Sequence, residues 1–139
     1  MNTQVLLVED DSAIMDILTL FLQYEGFEVL KARSVAGALE ILKAQSPDIV
    51  LLDYMLQDDT AEPVVEYMQQ QNRGIPIILL TAADDPSGKA RRVGADYVIA
   101  KPFELESLVS SVRGAIKARS QGASTFFSGI STPNPVLAV

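Results

Sequence analysis

Short apolar runs that alternate with helix-period segments constrain the fold of this chain more than any other feature. Three of the runs contain four apolar residues without polar alternation, which is typical of strands buried on both faces. Because helical patterns separate the runs, the alternation predicts right-handed crossovers and a parallel sheet. The five runs are residues 5–8, 29–30, 49–52, 77–80 and 98–100.

The helical patterns complete five strand–helix units. Four segments carry apolar residues at helical spacing: 12–24, 34–45, 62–71 and 104–118. A further helix is shorter, because residues 84–88 are typical of a turn and leave one or two turns around residues 89–93. The units predict an α/β fold, namely a doubly wound five-stranded parallel sheet of order 2-1-3-4-5 with helices on both faces.

The composition changes near the C-terminal end of the chain. Residues 120–139 contain no charged residue and are rich in Ser, Thr, Gly and Pro, which is typical of a tail or linker. We therefore expect one domain over residues 1–119 and a C-terminal tail or linker over residues 120–139. The sequence leaves open whether this segment docks on the domain or once led to an output domain.

The residue types that are missing exclude several kinds of chemistry. The chain contains no His and no Cys, which excludes disulfides, thiol catalysis, Ser-His catalysis and the usual zinc sites. Any metal must therefore be a hard cation on oxygen ligands. Acidic residues number 18 against 11 basic ones, and the net charge of −7 argues against direct contact with nucleic acid.

The apolar runs also bear on location. The first residues lack the charged and apolar regions of a signal peptide. No apolar run approaches the roughly 20 residues of a membrane span. We therefore expect a cytoplasmic protein that does not insert into a membrane.

Acidic side chains follow the first and third predicted strands. Glu9, Asp10 and Asp11 come directly after the first strand, and Asp53 follows the third. In a sheet of this order, these two strands flank the point where the strand order reverses, and ligands bind beyond their carboxyl ends. Crowded carboxylates can all remain ionised only when a cation lies among them. The pattern therefore predicts a Mg²⁺ site, since Mg²⁺ prefers carboxylate and phosphate oxygens.

Two further polar groups end the fourth and fifth predicted strands. Thr81 supplies a hydroxyl, and Lys101, followed by Pro102, supplies an ammonium at the same edge. Carboxylates, a hydroxyl and an ammonium around a metal are suited to receive a phosphoryl group and neutralise its charge. Taken singly, each residue also has an ordinary role as a helix cap, turn or loop residue. Their predicted meeting at one end of the sheet favours the functional interpretation.

Four motifs at this edge resemble those of response-regulator receiver domains of two-component signalling, of the chemotaxis-regulator-like kind. The motifs are VEDD at residues 8–11, LLD at 51–53, LTA at 80–82, and GAD at 94–96 running on to KPF at 101–103. Their order and spacing both agree with the family, and the resemblance extends over residues 4–119. It implies a flavodoxin-like fold and a role in phosphorelay signalling.

The resemblance implies a role for each acidic residue. Asp53 is expected to be the phosphoacceptor, attacking a phosphoryl group on a histidine of a sensor kinase or a histidine phosphotransfer protein. Asp10 and Asp53 are expected to bind Mg²⁺, or Mn²⁺ in its place, with Glu9 assisting. The backbone carbonyl of Met55 is expected to be a further metal ligand.

The resemblance also implies roles at the ends of the fourth and fifth strands. Thr81 is expected to donate its hydroxyl to one phosphoryl oxygen, and Lys101 to pair with another. The bond between Lys101 and Pro102 is expected to be cis, an isomer readily available only before proline. The product is an acyl phosphate that hydrolyses later, so we expect a self-phosphorylating switch of partner binding and not a turnover enzyme.

The chain departs from the family pattern in the loop after Asp53. The family usually has Pro and, farther on, an acidic residue before Gly; this sequence has Gln57, then Thr60 and Ala61. A proline ring restricts the backbone, whereas a glycine relaxes it. The absence of both therefore changes the backbone conformations that this loop prefers. We expect a changed loop shape with the chemistry of the site intact.

A second departure concerns the response to phosphorylation. The position three residues before Lys101 is commonly Tyr or Phe in the family, but here it is Val98, with Tyr97 expected on the opposite face of the strand. The span between Thr81 and Lys101 is also slightly short, which affects the fourth helix. Family output usually uses the face made by the fourth helix, fifth strand and fifth helix. We therefore expect unusual output to a downstream protein target, with this face as a candidate homodimer contact.

Other interpretations use the same fold. A phosphorylation-independent interaction module is favoured by Val98 and the short fourth helix and opposed by the intact site residues. A phosphatase of the haloacid dehalogenase type needs a second Asp where this chain has Met55, and is excluded. The first helix has a wide apolar band, whose flank near Ile14 and Ile17 either packs against neighbouring helices or docks a kinase or phosphotransfer helix.

Overall fold

Five strands and five helices alternate along the protein in a computed structural model, which describes residues 2–121. The strands are β1 (Gln4–Val8), β2 (Glu28–Ala32), β3 (Ile49–Asp53), β4 (Ile77–Thr81) and β5 (Tyr97–Ala100). The helices are α1 (Ser12–Tyr24), α2 (Val35–Ala44), α3 (Glu62–Gln71), α4 (Pro86–Val93) and α5 (Leu105–Ser120). All strand pairs are parallel and their order is β2-β1-β3-β4-β5, which confirms the predicted doubly wound α/β fold.

Apolar residues form a separate core layer on each face of the sheet. Helices α1 and α5 cover one face, and α2, α3 and α4 cover the other. Neighbouring residues of a strand point to opposite faces, so Leu51 packs with α1 and α5 while Leu52 packs with the other three helices. This double cover explains the uninterrupted apolar runs of the three central strands. Their carboxyl ends remain open as a binding edge.

Helix α4 is longer than the sequence pattern predicts, because it begins at Pro86 and not near residue 89. The Asp85 carboxylate accepts a hydrogen bond from the Gly88 N–H at 3.1 Å, and Pro86 occupies the first turn, where its missing N–H is not needed. The helix ends at Gly94, whose φ of 94° is the left-handed conformation that glycine adopts without strain. The predicted turn is therefore the first turn of this helix.

Helix α5 extends to Ser120, one residue past the expected end of the domain. The rest of the predicted tail or linker, residues 122–139, lies outside the described residues, as does Met1. Within residues 2–121, no helix has the length and apolar character needed to cross a membrane.

Candidate functional site

Three carboxylates meet at the carboxyl ends of β1 and β3. Glu9 extends β1, because its N–H donates to the Ala32 carbonyl of β2 at 3.0 Å. Asp10 follows in the loop before α1, and Asp53 ends β3. One carboxylate oxygen from each of Glu9, Asp10 and Asp53 lies within 4.8 Å of the others. The sheet register therefore brings together three of the four acidic residues at these strand ends. The fourth, Asp11, instead caps α1, where its carboxylate accepts a hydrogen bond from the Ile14 N–H at 3.0 Å.

The Glu9 side chain is the most enclosed of the three, with 1% of its surface exposed. Its Oε2 accepts a hydrogen bond from the Asp11 N–H at 3.1 Å, whereas its buried Oε1 has no hydrogen-bond donor among the described residues. Burial raises the pKa of the Glu9 carboxyl to about 7, and the negative charge of Asp53 adds to this shift. Glu9 is thus a carboxylate whose ionised form lacks a full set of partners.

Lys101 supplies the positive charge at this cluster. Its Nζ donates to Asp53 Oδ2 at 2.9 Å and lies 3.5 Å from Glu9 Oε1. Burial alone would lower the pKa of the ammonium, but the hydrogen bond and charge of Asp53, followed by those of Glu9, raise it above its ordinary value. The Lys101–Pro102 peptide bond is cis. Lys101 is therefore a cation held directly on the Asp53 carboxylate.

The donor set fits a small hard cation. It consists only of carboxylate oxygens, one of them buried without a hydrogen-bond donor, and three carboxylates face a single ammonium. Mg²⁺ and similar ions prefer oxygen ligands and are bound through one or two carboxylates. Glu9, Asp10 and Asp53 could therefore hold a divalent ion.

For Thr81 and Met55, no side-chain hydrogen bond to this cluster is described within residues 2–121, although the Lys101 N–H donates to the Thr81 backbone carbonyl at 2.8 Å. Thr81 ends β4 and is buried, with its hydroxyl oxygen accepting a hydrogen bond from the Ala83 N–H at 3.1 Å. Met55 lies in the loop after β3 with 64% of its surface exposed, and it forms an isolated antiparallel bridge with Thr60. The Thr81 hydroxyl proton is not used by its bond to Ala83, so it remains available to an acceptor.

The side chains of Tyr97 and Val98 lie on opposite faces of β5, as the strand alternation predicts. Val98 is 2% exposed and packs in the layer beneath α2, α3 and α4. Tyr97 packs in the layer beneath α1 and α5, and burial, together with the charge of Asp96, raises the pKa of its phenol. The aromatic side chain is therefore on the side of the sheet away from α4.

Three contact residues at this edge are missed by reasoning from the sequence. Arg33, after β2, donates to the Asp10 carbonyl, and Asp58 accepts hydrogen bonds from the first N–H groups of α2. Tyr54, after Asp53, donates its hydroxyl to Glu62. Arg33 and Tyr54 directly follow strands, so their position at the binding edge was a usable signal; Asp58 lies within a polar loop that gives none.

Known proteins that are similar to this chain indicate which family it belongs to. A family model described as the response regulator receiver domain matches residues 5–113. The probable transcriptional regulatory protein TcrX of Mycobacterium tuberculosis is 32% identical over 127 residues, covering 90% of this chain and 53% of that protein. The phosphate regulon transcriptional regulatory protein PhoB of Escherichia coli is 29% identical over 121 residues, covering 84% and 53%. The chain thus spans about half the length of these relatives.

A solved structure supports the same fold. The response regulator receiver domain protein (CheY-like) from Methanospirillum hungatei JF-1 superposes with a TM-score of 0.81. The match covers 88% of this chain and 100% of that one at 24% sequence identity, which speaks to the fold alone. The extent of the family match, over most of the chain and all four site-bearing strand ends, settles the family. This chain belongs to the response regulator receiver domain family.

Proposed function

We propose that this chain is a phosphoacceptor receiver in two-component phosphorelay signalling and that Asp53 accepts the phosphoryl group. The observation that carries the proposal is the Asp53 carboxylate, held by Lys101 at 2.9 Å inside a cluster of acidic oxygens. An ammonium and a divalent cation on one carboxylate form a site that attracts and neutralises an anionic phosphoryl group. Family membership and the geometry support the same role.

Glu9, Asp10 and Asp53 are the side chains that would hold Mg²⁺, or Mn²⁺ in its place, with the Met55 carbonyl as a further ligand. When bound, the ion neutralises charge on the phosphoryl oxygens. Gln57 lies in the same loop as Met55 and removes no ligand group.

The transfer step follows from the residues at this edge. A carboxylate oxygen of Asp53 forms a bond to phosphorus, while the bond between phosphorus and the donor atom breaks. The electron pair of the broken bond leaves with the donor, which is an imidazole nitrogen in a phosphohistidine. Lys101 then pairs with a phosphoryl oxygen and Thr81 donates its hydroxyl to another. Such catalysis is positioning and charge stabilisation, and the acyl phosphate later hydrolyses.

The donor that we propose is a sensor histidine kinase or a histidine phosphotransfer protein. Helix α1 begins beside the acidic cluster, and Ile17 on this helix has 43% of its surface exposed while Ile14 is half-buried. Tight packing against neighbouring helices therefore does not account for the whole apolar band of α1. The exposed flank supports docking of a donor helix close to Asp53.

The output is proposed to be altered binding of a downstream protein target, with a homodimer through α4, β5 and α5 as one form. PhoB and TcrX are described as transcriptional regulatory proteins, but they are about twice as long as the matched region. The names of these longer proteins do not test our prediction that residues 1–139 make no direct contact with nucleic acid. A cytoplasmic location likewise stays a prediction.

A second candidate is a phosphorylation-independent interaction module on the same fold. The buried Val98 favours it, because no aromatic side chain stands at the position that commonly moves with the β4 threonine in the family. Both candidates predict partner binding, but only the first requires Asp53 to be modified.

Incubation with acetyl phosphate and Mg²⁺, followed by intact mass measurement, separates the two candidates. We expect the wild-type protein to gain one phosphoryl group. The Asp53→Asn variant should gain none, while Asp16→Asn, which removes an exposed carboxylate on α1, should behave like wild type. Absence of any gain in the wild-type protein would favour the second candidate.

A further inference from the structure

Arg33 places a guanidinium at the rim of the acidic cluster. Its Nη2 donates to the Asp10 backbone carbonyl at 3.1 Å and also to the Ser12 hydroxyl. Because this carbonyl and one of the clustered carboxylates belong to Asp10, the guanidinium is bound to a residue of the proposed metal site. The Arg33 side chain is exposed, so it is accessible to a molecule that approaches from solvent.

The charge of Arg33 is not neutralised within the described residues. None of the ion pairs described within residues 2–121 includes Arg33. Only Nη2 takes part in the hydrogen bonds described for this side chain, whereas a guanidinium offers five N–H donors. The planar fork of those donors matches the oxygens of a phosphoryl group.

The charge balance of the site calls for such a cation. The carboxylates of Glu9, Asp10 and Asp53 carry two more negative charges than Lys101 neutralises when all are ionised. A divalent ion cancels this excess and leaves no net positive charge to attract an incoming phosphoryl anion. Arg33 supplies one on the solvent-exposed side of Asp10.

We propose that Arg33 binds the anionic phosphoryl group of the donor as it approaches Asp53. This inference rests on the proposed function of Asp53 as phosphoacceptor. The competing explanation is that Arg33 only positions the loop that carries Asp10. The two explanations predict opposite effects on Mg²⁺ binding, because a neighbouring cation repels Mg²⁺ whereas a loop support favours it.

The test compares Arg33→Gln, which keeps an N–H donor but loses the charge, with Arg33→Lys, which keeps the charge. The concentration of acetyl phosphate that gives half the maximal phosphorylation rate should rise about three- to tenfold in Arg33→Gln, the size expected for one partly screened charge. Arg33→Lys should lie between the two. Mg²⁺ affinity, measured by calorimetry without any phosphodonor, should be equal or tighter in Arg33→Gln.

Arg113→Gln is the matched control, since Arg113 contacts Glu25 at the opposite end of α1 and its loss removes the same charge. It should leave the half-saturating concentration unchanged. The proposal is overturned if Arg33→Gln does not raise that concentration, or if it weakens Mg²⁺ binding. Failure of the wild-type protein to gain a phosphoryl group instead overturns the proposed function, so the two failures are distinguishable.

Discussion

Glu9 and Lys101 carry opposite charges at the carboxyl ends of the strands, where both side chains are largely enclosed. Each charge therefore compensates the other. Lys101 has one hydrogen-bonding carboxylate, Asp53, and a second carboxylate, Glu9, at ion-pair distance. A charge buried without a partner is costly, so each group depends on the other. The same residues thus form the candidate functional site and lower the stability of the fold when no cation is bound.

The Lys101→Met variant should be less stable than wild type in the absence of divalent cations. Removing one member of a buried ion pair costs about 3–5 kcal/mol, and we expect about 3 kcal/mol because the Lys101 side chain is still 20% exposed. Urea denaturation in the presence of a chelator measures the loss. Lys117→Met, an exposed position on α5, is the matched control and should change stability by at most about 0.5 kcal/mol. Equal losses in the two variants would contradict this account of Lys101.

Mg²⁺ should stabilise the wild-type protein through the three carboxylates. At a hundred times its Kd, a ligand that binds only the folded state adds about 2.7 kcal/mol to the free energy of unfolding. At that same Mg²⁺ concentration, Asp10→Asn should lose most of the gain because one of the ligand oxygens loses its charge, whereas Asp16→Asn should keep it. Thermal unfolding with and without Mg²⁺ tests this. A full gain in Asp10→Asn would remove Asp10 from the ligand set.

Residue types at the strand ends predicted the meeting of Glu9, Asp10 and Asp53, but not that Asp11 would turn away to cap α1. Glu9, Asp10 and Asp53 follow strands whose neighbours are fixed by the sheet order, so their approach depends on topology alone. The contacts of Arg33 and Asp58 could not be predicted in the same way. They depend on the paths of two loops, and a loop path follows from hydrogen bonds between residues that are distant in sequence.

At the scale of elements, helix α2 is capped from a loop far away in the sequence. The Asp58 carboxylate accepts hydrogen bonds from the Val35 N–H at 2.9 Å and the Ala36 N–H at 3.2 Å. Ser34 caps the same helix locally, accepting from the Gly37 N–H at 3.0 Å. The loop that lacks the family's proline and glycine is therefore anchored on α2.

This anchor should depend on pH. The hydrogen bond from the Val35 N–H, together with that from Ala36, holds the pKa of the Asp58 carboxyl below its ordinary value of 3.8. A lowered folded-state pKa means that the contribution to stability is present above about pH 4 and is lost as the pH falls through the folded-state value. The difference in thermal midpoint between wild type and Asp58→Asn should therefore narrow below pH 4. A difference that stays constant down to pH 2 would contradict the role of the Asp58 charge.

Tyr54 joins three elements around the end of β3. Its hydroxyl donates to Glu62 Oε2 at the start of α3 at 2.8 Å, and Lys89 Nζ of α4 lies 4.2 Å from the centre of its ring. Burial acts to raise the pKa of Glu62, but the nearby hydroxyls of Thr60 and Tyr54 and the charge of Lys89 outweigh it, so the pKa is lowered. Tyr54 is thus an aromatic residue that connects the end of β3 to α4. The strand β5 has Val98, and no aromatic residue, at the position three residues before Lys101.

Loss of the Tyr54 hydroxyl should destabilise the protein measurably. Tyr54→Phe leaves the half-buried Glu62 carboxylate without this donor, and its other oxygen already has no hydrogen-bond partner in the described structure. We expect a loss of about 1–2 kcal/mol in urea denaturation. Tyr67→Phe, on the same helix as Glu62, serves as the control and should change stability less. A loss below the measurement error in Tyr54→Phe would contradict the importance of this contact.

Helix periodicity predicted α1 and α3 well, whereas the start of α4 was wrong. Asp85, Pro86 and Gly88 are residues that turns and helix N-termini share. The helix start is identified by two hydrogen bonds, from the Gly88 N–H to the Asp85 carboxylate and from the Lys89 N–H to the Asp85 carbonyl. The prediction chose the turn, and the structure has the helix start. Cap chemistry is therefore ambiguous in a sequence until the neighbouring backbone is known.

At the scale of the whole molecule, helices cover both faces of the sheet, so polar groups can meet at the ends of its central strands. The carboxyl end gathers the acidic cluster, Lys101 and Thr81, while both core layers are filled with apolar side chains. The uninterrupted apolar runs predicted this arrangement directly, because only strands buried on both faces tolerate them. The architecture therefore provides a rigid support for a site built almost entirely from strand ends.

We propose that the Asp53 side chain itself becomes an acyl phosphate, and chemical trapping tests this proposal directly. Borohydride reduces an aspartyl phosphate to homoserine, which peptide mass mapping then locates in the chain. We expect homoserine at position 53 after treatment with acetyl phosphate and Mg²⁺ together, and no homoserine when either is left out. Homoserine at another aspartate, or none in the fully treated wild-type protein, would contradict it.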